Sequence, residues 1–242
     1  MGKTLKLSVI ILLGGKFDKD LLKKCLASVS FADEIITVDT IKLNGSFDRW
    51  RNKGAQLAKC DWILYVDSDE EVPSVLRDEI DKVIKDPQTK YNAYAIPRRN
   101  FIFGQEFKHG GQWPDYQKRL FRKETFSRWV GDLHEEPVFQ GDLGHFKNPI
   151  IHHKDITIAE MIEKTNKWSE IEAGLLYKSG HPKMNFFRFC SAGFREFWKR
   201  GVVKLGFLDG TVGVIEVIYQ VYSRLITYAK LWEKQLYEGR NI

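Results

Sequence analysis

Strand-like and helix-like stretches alternate along the first third of this chain, and that alternation restricts the possible folds more than any other feature. Apolar runs at residues 7–13, 34–38 and 62–66 read as strands. Helical periodicity over 20–29 and 47–58 separates them, and over 73–85 it follows the third, with Pro73 suited to a first helical turn. The runs are near-continuous, as expected of parallel strands buried on both faces by helices. The pattern predicts an α/β fold over residues 1–155, a mostly parallel central sheet flanked by helices. In such sheets ligands bind outside the carboxyl ends of the strands.

Chemistry gathers at those ends. Gly14 and Gly15 follow the first run, Asp39 the second, and Asp67-Ser68-Asp69 the third. The third is the most demanding. WILYVDSDEEV drives Ile63, Leu64, Tyr65 and Val66 into a core, then places Asp67, Asp69, Glu70 and Glu71 at its exit. Crowded carboxylates repel unless something positive relieves them. Two aspartates flanking one small residue can turn toward one point. Hard oxygen ligands of that kind suit Mg²⁺ or Mn²⁺, which keep open positions for substrate phosphates. An isolated D-x-D is more simply an acidic loop before a helix, where acids favour the amino end. The surroundings of this one decide between the two.

The 242 residues, 43% hydrophobic and 13% aromatic, suffice for a sizeable core and exclude a disordered chain. Cys25, Cys60 and Cys190 are odd in number and lack CxxC spacing, which points away from a disulfide framework or zinc site and toward a reducing compartment. The stretch MGKTLKLSVIILLGGK reads as a first strand and not as a signal peptide: its apolar run is short and no A-x-A-like site follows it. Lys6 stands where a myristoylation signal needs Ser or Thr. No uncharged apolar stretch nears the roughly 18 residues of a membrane span. A cytoplasmic protein, not integral to a membrane, is expected.

RNKGAQLAKCDWILYVDSDEEV, residues 51–72, resembles the core motif of the family 2 inverting glycosyltransferases, which share the nucleotide-sugar-binding fold called GT-A. LSVIILLGGKFDKDLLKKCLASV and ADEIITVDT are similar to that family's first strand, first helix and second strand. PDYQKRLFRK, GDLHEEP and the IIHH strand resemble one branch, the lipopolysaccharide-core β-glucosyltransferases. The resemblance implies a nucleotide-sugar donor, with UDP-hexose the first expectation, a Mn²⁺ or Mg²⁺ ion, and a lipid-linked or lipopolysaccharide-core-type saccharide acceptor.

Carried over by position, the resemblance implies that Asp39 meets the base or ribose and that Arg51 and Asn52 line the nucleotide side. Asp67 and Asp69 face metal and diphosphate, Asp69 the more directly. Gln117 and Arg119 offer hydrogen bonds to phosphate or acceptor, and His152 is a third metal or diphosphate contact. Inversion needs one carboxylate to take the proton of the attacking hydroxyl. The implied base is Glu135, from the G-x-x-H-E pattern. Asp132 is the second candidate, and His134 is either a positioning neighbour or a structural histidine. Two departures stand out: LGGKFDKD replaces the usual Asn-Glu pair after the first strand, and the segment between Thr40 and Arg51 is short by about one strand and turn. They keep open a catalytically silent, membrane-associated protein of the same fold. A sugar-phosphate nucleotidyltransferase is a further rival, although GGK lacks the arginine its loop usually carries.

From Thr157 the pattern turns helical, defining a second region over 156–242. Thr157 and Glu160 make a capping box, and Ile158, Ile162, Trp168, Ile171 and Leu175 continue the helical spacing. Next comes NFFRFCSAGFREFWKRGVVKLGFLDG, where aromatics interleave with charge. From Lys183 to Lys204 six basic residues stand against Glu196 alone, a net +5 of the chain's +6. Basic and aromatic residues on a segment too charged to span suit a helix lying on an anionic bilayer, here residues 183–207 on the inner face of the cytoplasmic membrane. No nucleic-acid recognition motif accompanies the patch, so no nucleic acid is expected. The last helix, 211–235, sets Val214, Val217, Ile218, Val221, Leu225 and Trp232 against a face of Glu216, Gln220, Ser223, Thr227, Lys230 and Lys234. Its apolar face is expected to bury against the domain, a second copy in a homodimer, or lipid.

Overall fold

The computed structural model describes residues 5–14, 17–43, 45–86, 88–131, 135–155 and 157–237. Its elements run β1 (Leu7–Leu13), α1 (Lys19–Ser28), β2 (Glu34–Asp39), α2 (Phe47–Leu57), β3 (Trp62–Asp67), β4 (Glu70–Glu71), α3 (Ser74–Lys85) and β5 (Tyr91–Ile102). They continue with β6 (Gln105–Glu106), β7 (Asp115–Arg122), β8 (Phe126–Val130), β9 (Glu136–Phe139), β10 (Asp142–His145) and β11 (Ile150–Asp155). The helices α4 (Ile158–Lys178), α5 (Phe186–Phe197) and α6 (Gly210–Tyr237) follow. The chain forms two compact units, one of residues 1–100 and 114–154, the other of residues 101–113 and 155–242.

In the first unit the strands order as β2-β1-β3-β7-β5-β11-β4, with β10 beside β5. β2, β1 and β3 are parallel, as the alternation predicts. β7 then joins β3 antiparallel, and β5 joins β7 antiparallel. The α/β class is the expected one, and its parallel half is extended by antiparallel strands. The reason β1 reads as a continuous apolar run is visible in its packing. Leu7, Val9 and Ile11 enter one core with Cys25 and Val29 from around α1 and Leu76 and Ile80 of α3. Ile10 and Leu12 enter the core on the other face with Tyr65, Phe121 and Trp129. Each such aliphatic side chain contributes about 1.5–3 kcal/mol by leaving water. Asp18 caps α1, accepting from the backbone N–H groups of Asp20 (2.8 Å) and Leu21 (3.1 Å). Gly54 lets α2 lie close on β1, because a Cβ there would overlap the Ile10 side chain.

In the second unit Thr157 caps α4 as half of the expected capping box, its Oγ1 accepting from the Glu160 N–H at 3.2 Å. On α6, Glu216 and Thr227 are buried, whereas Ile218 is 60% and Trp232 50% exposed. Of the expected apolar face Val217 is buried, Val221 and Leu225 are half-buried and Val214, Ile218 and Trp232 are exposed. The physical reason is what the neighbours offer. Glu172 of α4 accepts from Arg224 (3.3 Å) and Thr227 (3.2 Å), Glu170 pairs with Lys234 (2.6 Å), and Gln112 donates to Glu216 (2.7 Å). Polar residues of α6 thus find partners inside the unit. α4 behaves alike, burying Met161, Thr165, Ser169 and Ala173 while Ile158, Ile162, Ile171 and Leu175 are exposed. Among the described residues, no helix is long and apolar enough to cross a membrane.

Candidate active site

The register of the parallel strands places two of the expected residues. Asp39 ends β2 opposite Leu13, and Asp67 ends β3 opposite Leu12, so the two carboxylates flank β1 at the carboxyl edge of the sheet. Asp39 is exposed enough to meet a ligand, with Lys42 3.2 Å from one oxygen and the Ile41 N–H donating to the other at 3.0 Å. Behind this edge Gly14 sits so close to Thr40 that a Cβ would overlap its hydroxyl.

The four carboxylates of the DSDEE segment part company at once: Asp67 and Glu70 share Arg119, and Asp69 and Glu71 each face a histidine. Asp67 Oδ2 accepts from Arg119 Nη2 at 2.6 Å, and its Oδ1 lies 3.3 Å from Arg51 Nη2. Glu70 is fully buried; it accepts from Arg119 (2.8 Å) and, through its other oxygen, from the Asp67 N–H (2.9 Å), which folds the chain back on itself after β3. Asp69 stands 3.6 Å from His152 Nε2, and Glu71 2.8 Å from His153 Nε2. For Asp67 and Glu70 the positive partners are arginines of the protein itself.

Two consecutive residues of α2 then hold the β8–β9 connection. Arg51 is buried, with its guanidinium 5.0 Å from the Trp129 ring and 5.5 Å from that of Tyr65, and its Nε donates to Glu135 Oε1 at 2.9 Å. One planar fork therefore joins Glu135 to Asp67, a geometry that lysine could not reproduce. Asn52 beside it donates to the Trp129 carbonyl (3.0 Å) and accepts from the Trp129 N–H (2.8 Å). Its amide is thereby tied to β8. Asp132 and His134 lie outside the described residues.

A second chain of contacts runs from β7 to β11. Gln117 and Arg98 donate to Asp115 at 2.7 and 2.6 Å. Asn100 Oδ1 meets His152 Nδ1 at 2.6 Å, fixing the ring whose other nitrogen faces Asp69. Sequence reading left Glu70, Arg98 and Asp115 without roles. The available signal was an arginine between apolar strand positions in AIPRRNFI, and Asp115 two residues before Gln117 on one strand face.

Electrostatics follow from these contacts. Burial opposes ionisation of Asp67, yet Arg119 and Arg51 outweigh it and hold the carboxyl far below the usual range. Burial raises Glu70, and the Asp67 charge adds to it against the pull of Arg119. Arg119 is pushed up by Asp67 and Glu70 despite its burial. Cys25, whose thiol donates to the Asp67 carbonyl at 3.4 Å, is pushed up to about 12 by burial and then by Glu70 and Asp67. Asp67, Glu70, Asp115 and Glu135 are paired with Arg51, Arg98 and Arg119, whereas Asp69 faces His152.

These acids do not form an all-protein metal cage. Among the described residues no group of three His, Cys, Asp or Glu converges on a point. Asp67 has both oxygens engaged by arginines, and His152 is tied to Asn100. Asp69, 35% exposed and paired with no arginine, is the carboxylate placed to ligate, which matches Mg²⁺-type sites built from one or two carboxylates plus substrate phosphates. A broad surface concavity of about 590 Å³ runs elsewhere, along Asp78 to Asp86 of α3, and lacks any comparable organisation.

No protein-family model matches the chain. Among curated proteins it is similar to an uncharacterized glycosyltransferase of Rickettsia bellii, 26% identical over 89% of this chain and 83% of the relative. A second, from Rickettsia conorii, is 26% identical over 75% of this chain and 67% of the relative. The lipopolysaccharide core biosynthesis glycosyltransferase LpsC of Rhizobium meliloti is 22% identical over 90% of each. Among solved structures, residues 1–349 of S. aureus TarS with UDP-GlcNAc align over 97% of this chain and 92% of that one, at 14% identity and a TM-score of 0.41.

Proposed function

Taking kinship with glycosyltransferases over three quarters or more of the chain as the premise, we propose that this protein is an inverting glycosyltransferase of the family 2 type. It moves a hexose from a nucleoside-diphosphate donor, UDP-hexose first, to a hydroxyl of a lipid-linked or lipopolysaccharide-core-type saccharide. The observation that carries this reading is the Arg51 fork, which ties Glu135 to Asp67 and so fixes the candidate base relative to the carboxyl edge of the sheet.

In the reaction, the acceptor oxygen bonds to the anomeric carbon from the face opposite the diphosphate, its proton passes to Glu135, and the bond from carbon to the phosphate oxygen breaks. Arg51 engages Oε1 of Glu135 and leaves Oε2 for that proton. Asp39 meets the ribose or base, and Gln117 and Arg119 flank the diphosphate region through Asp115 and Asp67. Asp69 would hold a Mn²⁺ or Mg²⁺ ion, which would supply charge neutralisation for the leaving diphosphate. Asp67, locked by two arginines, orients the segment that carries Asp69.

The test is calorimetric titration with UDP, GDP and dTDP, each with Mn²⁺ and then with EDTA, followed by donor turnover. Asp69→Asn should lose the metal-dependent part of nucleotide binding. Glu135→Gln should bind donor normally and transfer it about 10²- to 10⁴-fold more slowly. Full transfer by Glu135→Gln would remove Glu135 as the base. Binding without any turnover in the wild type would favour the silent protein of the same fold.

A further inference from the structure

We propose that the outward face of α5 docks on the interface of an anionic bilayer. Successive residues of an α-helix turn by about 100°. On α5 and its first continuation Phe187, Phe194 and Trp198 therefore form one ridge, Arg188, Arg195 and Lys199 a second ridge about 100° away, and the buried Ala192, Gly193 and Glu196 face inward. Phe187 is 80% and Trp198 51% exposed, and Phe194 stacks on Trp198 with ring centroids 6.1 Å apart. Large aromatics standing in water at helical spacing are a cost to the fold unless something covers them.

The charge identifies what covers them. From residue 183 to 208 the one acid is Glu196, and it is buried with Arg200 at 2.7 Å. The exposed charges of the segment, Lys183, Arg188, Arg195, Lys199 and Lys204, all have one sign. A second copy meeting this face about a two-fold axis would bring cations against cations. An anionic lipid surface meets them with the opposite charge, while the aromatics enter the headgroup boundary and the long basic side chains reach back to the phosphates. Elsewhere in the unit Ile158 and Ile162 of α4 and Ile218 and Trp232 of α6 are likewise exposed. With no helix able to span among the described residues, contact is in the plane of the interface.

The experiment is co-sedimentation of the full chain with vesicles of phosphatidylcholine alone and of phosphatidylcholine mixed with phosphatidylglycerol, at low and high salt. This readout involves no sugar transfer, so its failure and that of the proposed reaction are distinguishable. Wild type should pellet with the mixed vesicles at low salt and release at high salt. Arg195→Glu with Lys199→Glu should bind at least about 25-fold more weakly, about fivefold for each cation. Phe194→Ser with Trp198→Ser should lose binding that salt does not remove. All four sites are exposed, and circular dichroism checks that the variants stay folded. The proposal is overturned by no vesicle binding by wild type, by equal binding by the charge-reversed variant, or by self-association of wild type that Phe194→Ser with Trp198→Ser abolishes while vesicles stay bare. Retention on a soluble polyanion that matches vesicle binding and ignores the aromatic substitutions also overturns it.

Discussion

If Arg51 holds Glu135 in place, the two must be energetically coupled, and a double-mutant cycle of Arg51→Met with Glu135→Gln measures that coupling. Arg51 is 8% exposed, Glu135 is 15% exposed, and they meet at 2.9 Å, so solvent screens the pair little. A hydrogen bond between charged groups in such a place contributes about 1.5–3 kcal/mol. Arg51→Met also deprives Asp67 of one of its two arginines and removes the stacking on Trp129 and Tyr65, each stack worth about 0.5–1 kcal/mol. The single change should cost about 3–5 kcal/mol, as for truncating one member of a buried pair. For a chain of this length that lowers Tm by about 6–20 °C. Glu135→Gln keeps an accepting oxygen and should cost about 1–2 kcal/mol. The double variant should be more stable than the sum of the single effects by about 1.5–3 kcal/mol, read from urea midpoints at constant slope. Additivity within about 0.5 kcal/mol would refute the claim that α2 positions the base.

Two further outcomes rest on the perturbed groups. Asp67 and Asp115 titrate below the ordinary carboxylate value, so the folded state binds fewer protons than the unfolded one as pH falls through about 4; their stabilisation is present above that pH and lost below it. Asp67→Asn should flatten the acid limb of a stability-versus-pH curve, and a limb parallel to that of wild type would contradict the assignment. Among the three thiols, Cys190 is exposed while Cys25 and Cys60 are buried, with Cys25 pushed up to about 12. A thiol reagent at pH 8 should titrate one cysteine in the native protein and all three after denaturation, and rapid reaction of Cys25 would show that its contact with the Asp67 carbonyl is wrong.

Much of the scaffold was legible in the sequence because its causes are local. β1 and β3 were readable to within a residue, since strands covered on both faces must be apolar throughout. The Thr157 cap was readable because its partner is three residues away. The ligand edge was readable from acids at strand ends. What escaped depends on distant partners. Nothing near Asp67 announces Arg119, 52 positions on, and nothing near Arg51 announces Glu135, 84 positions on. The crowded acids announced a need for positive charge, but not that Arg119 and Arg51 would meet Asp67 and Glu70. The faces of α6 escaped for a similar reason. Periodicity says that a helix has two sides, and only the acids of α4 decide which one turns inward.

The paired contacts of Arg51 and Asn52 have a consequence for which changes in chain length this protein can absorb. Inserting or deleting one residue within α2 ahead of Arg51 would swing both side chains by about 100° and release Glu135 and Trp129 together. The close seat of Gly54 on Ile10 would be lost in the same stroke. Length variation before α2 is harmless by comparison, since the helix begins at Phe47 after Ser46 in extended backbone. The shortening between Thr40 and Arg51 can therefore be taken up in the loop ahead of Ser46, where it resizes the region beside Asp39 while the register of the helix, and with it the hold of Arg51 on Glu135, stays fixed.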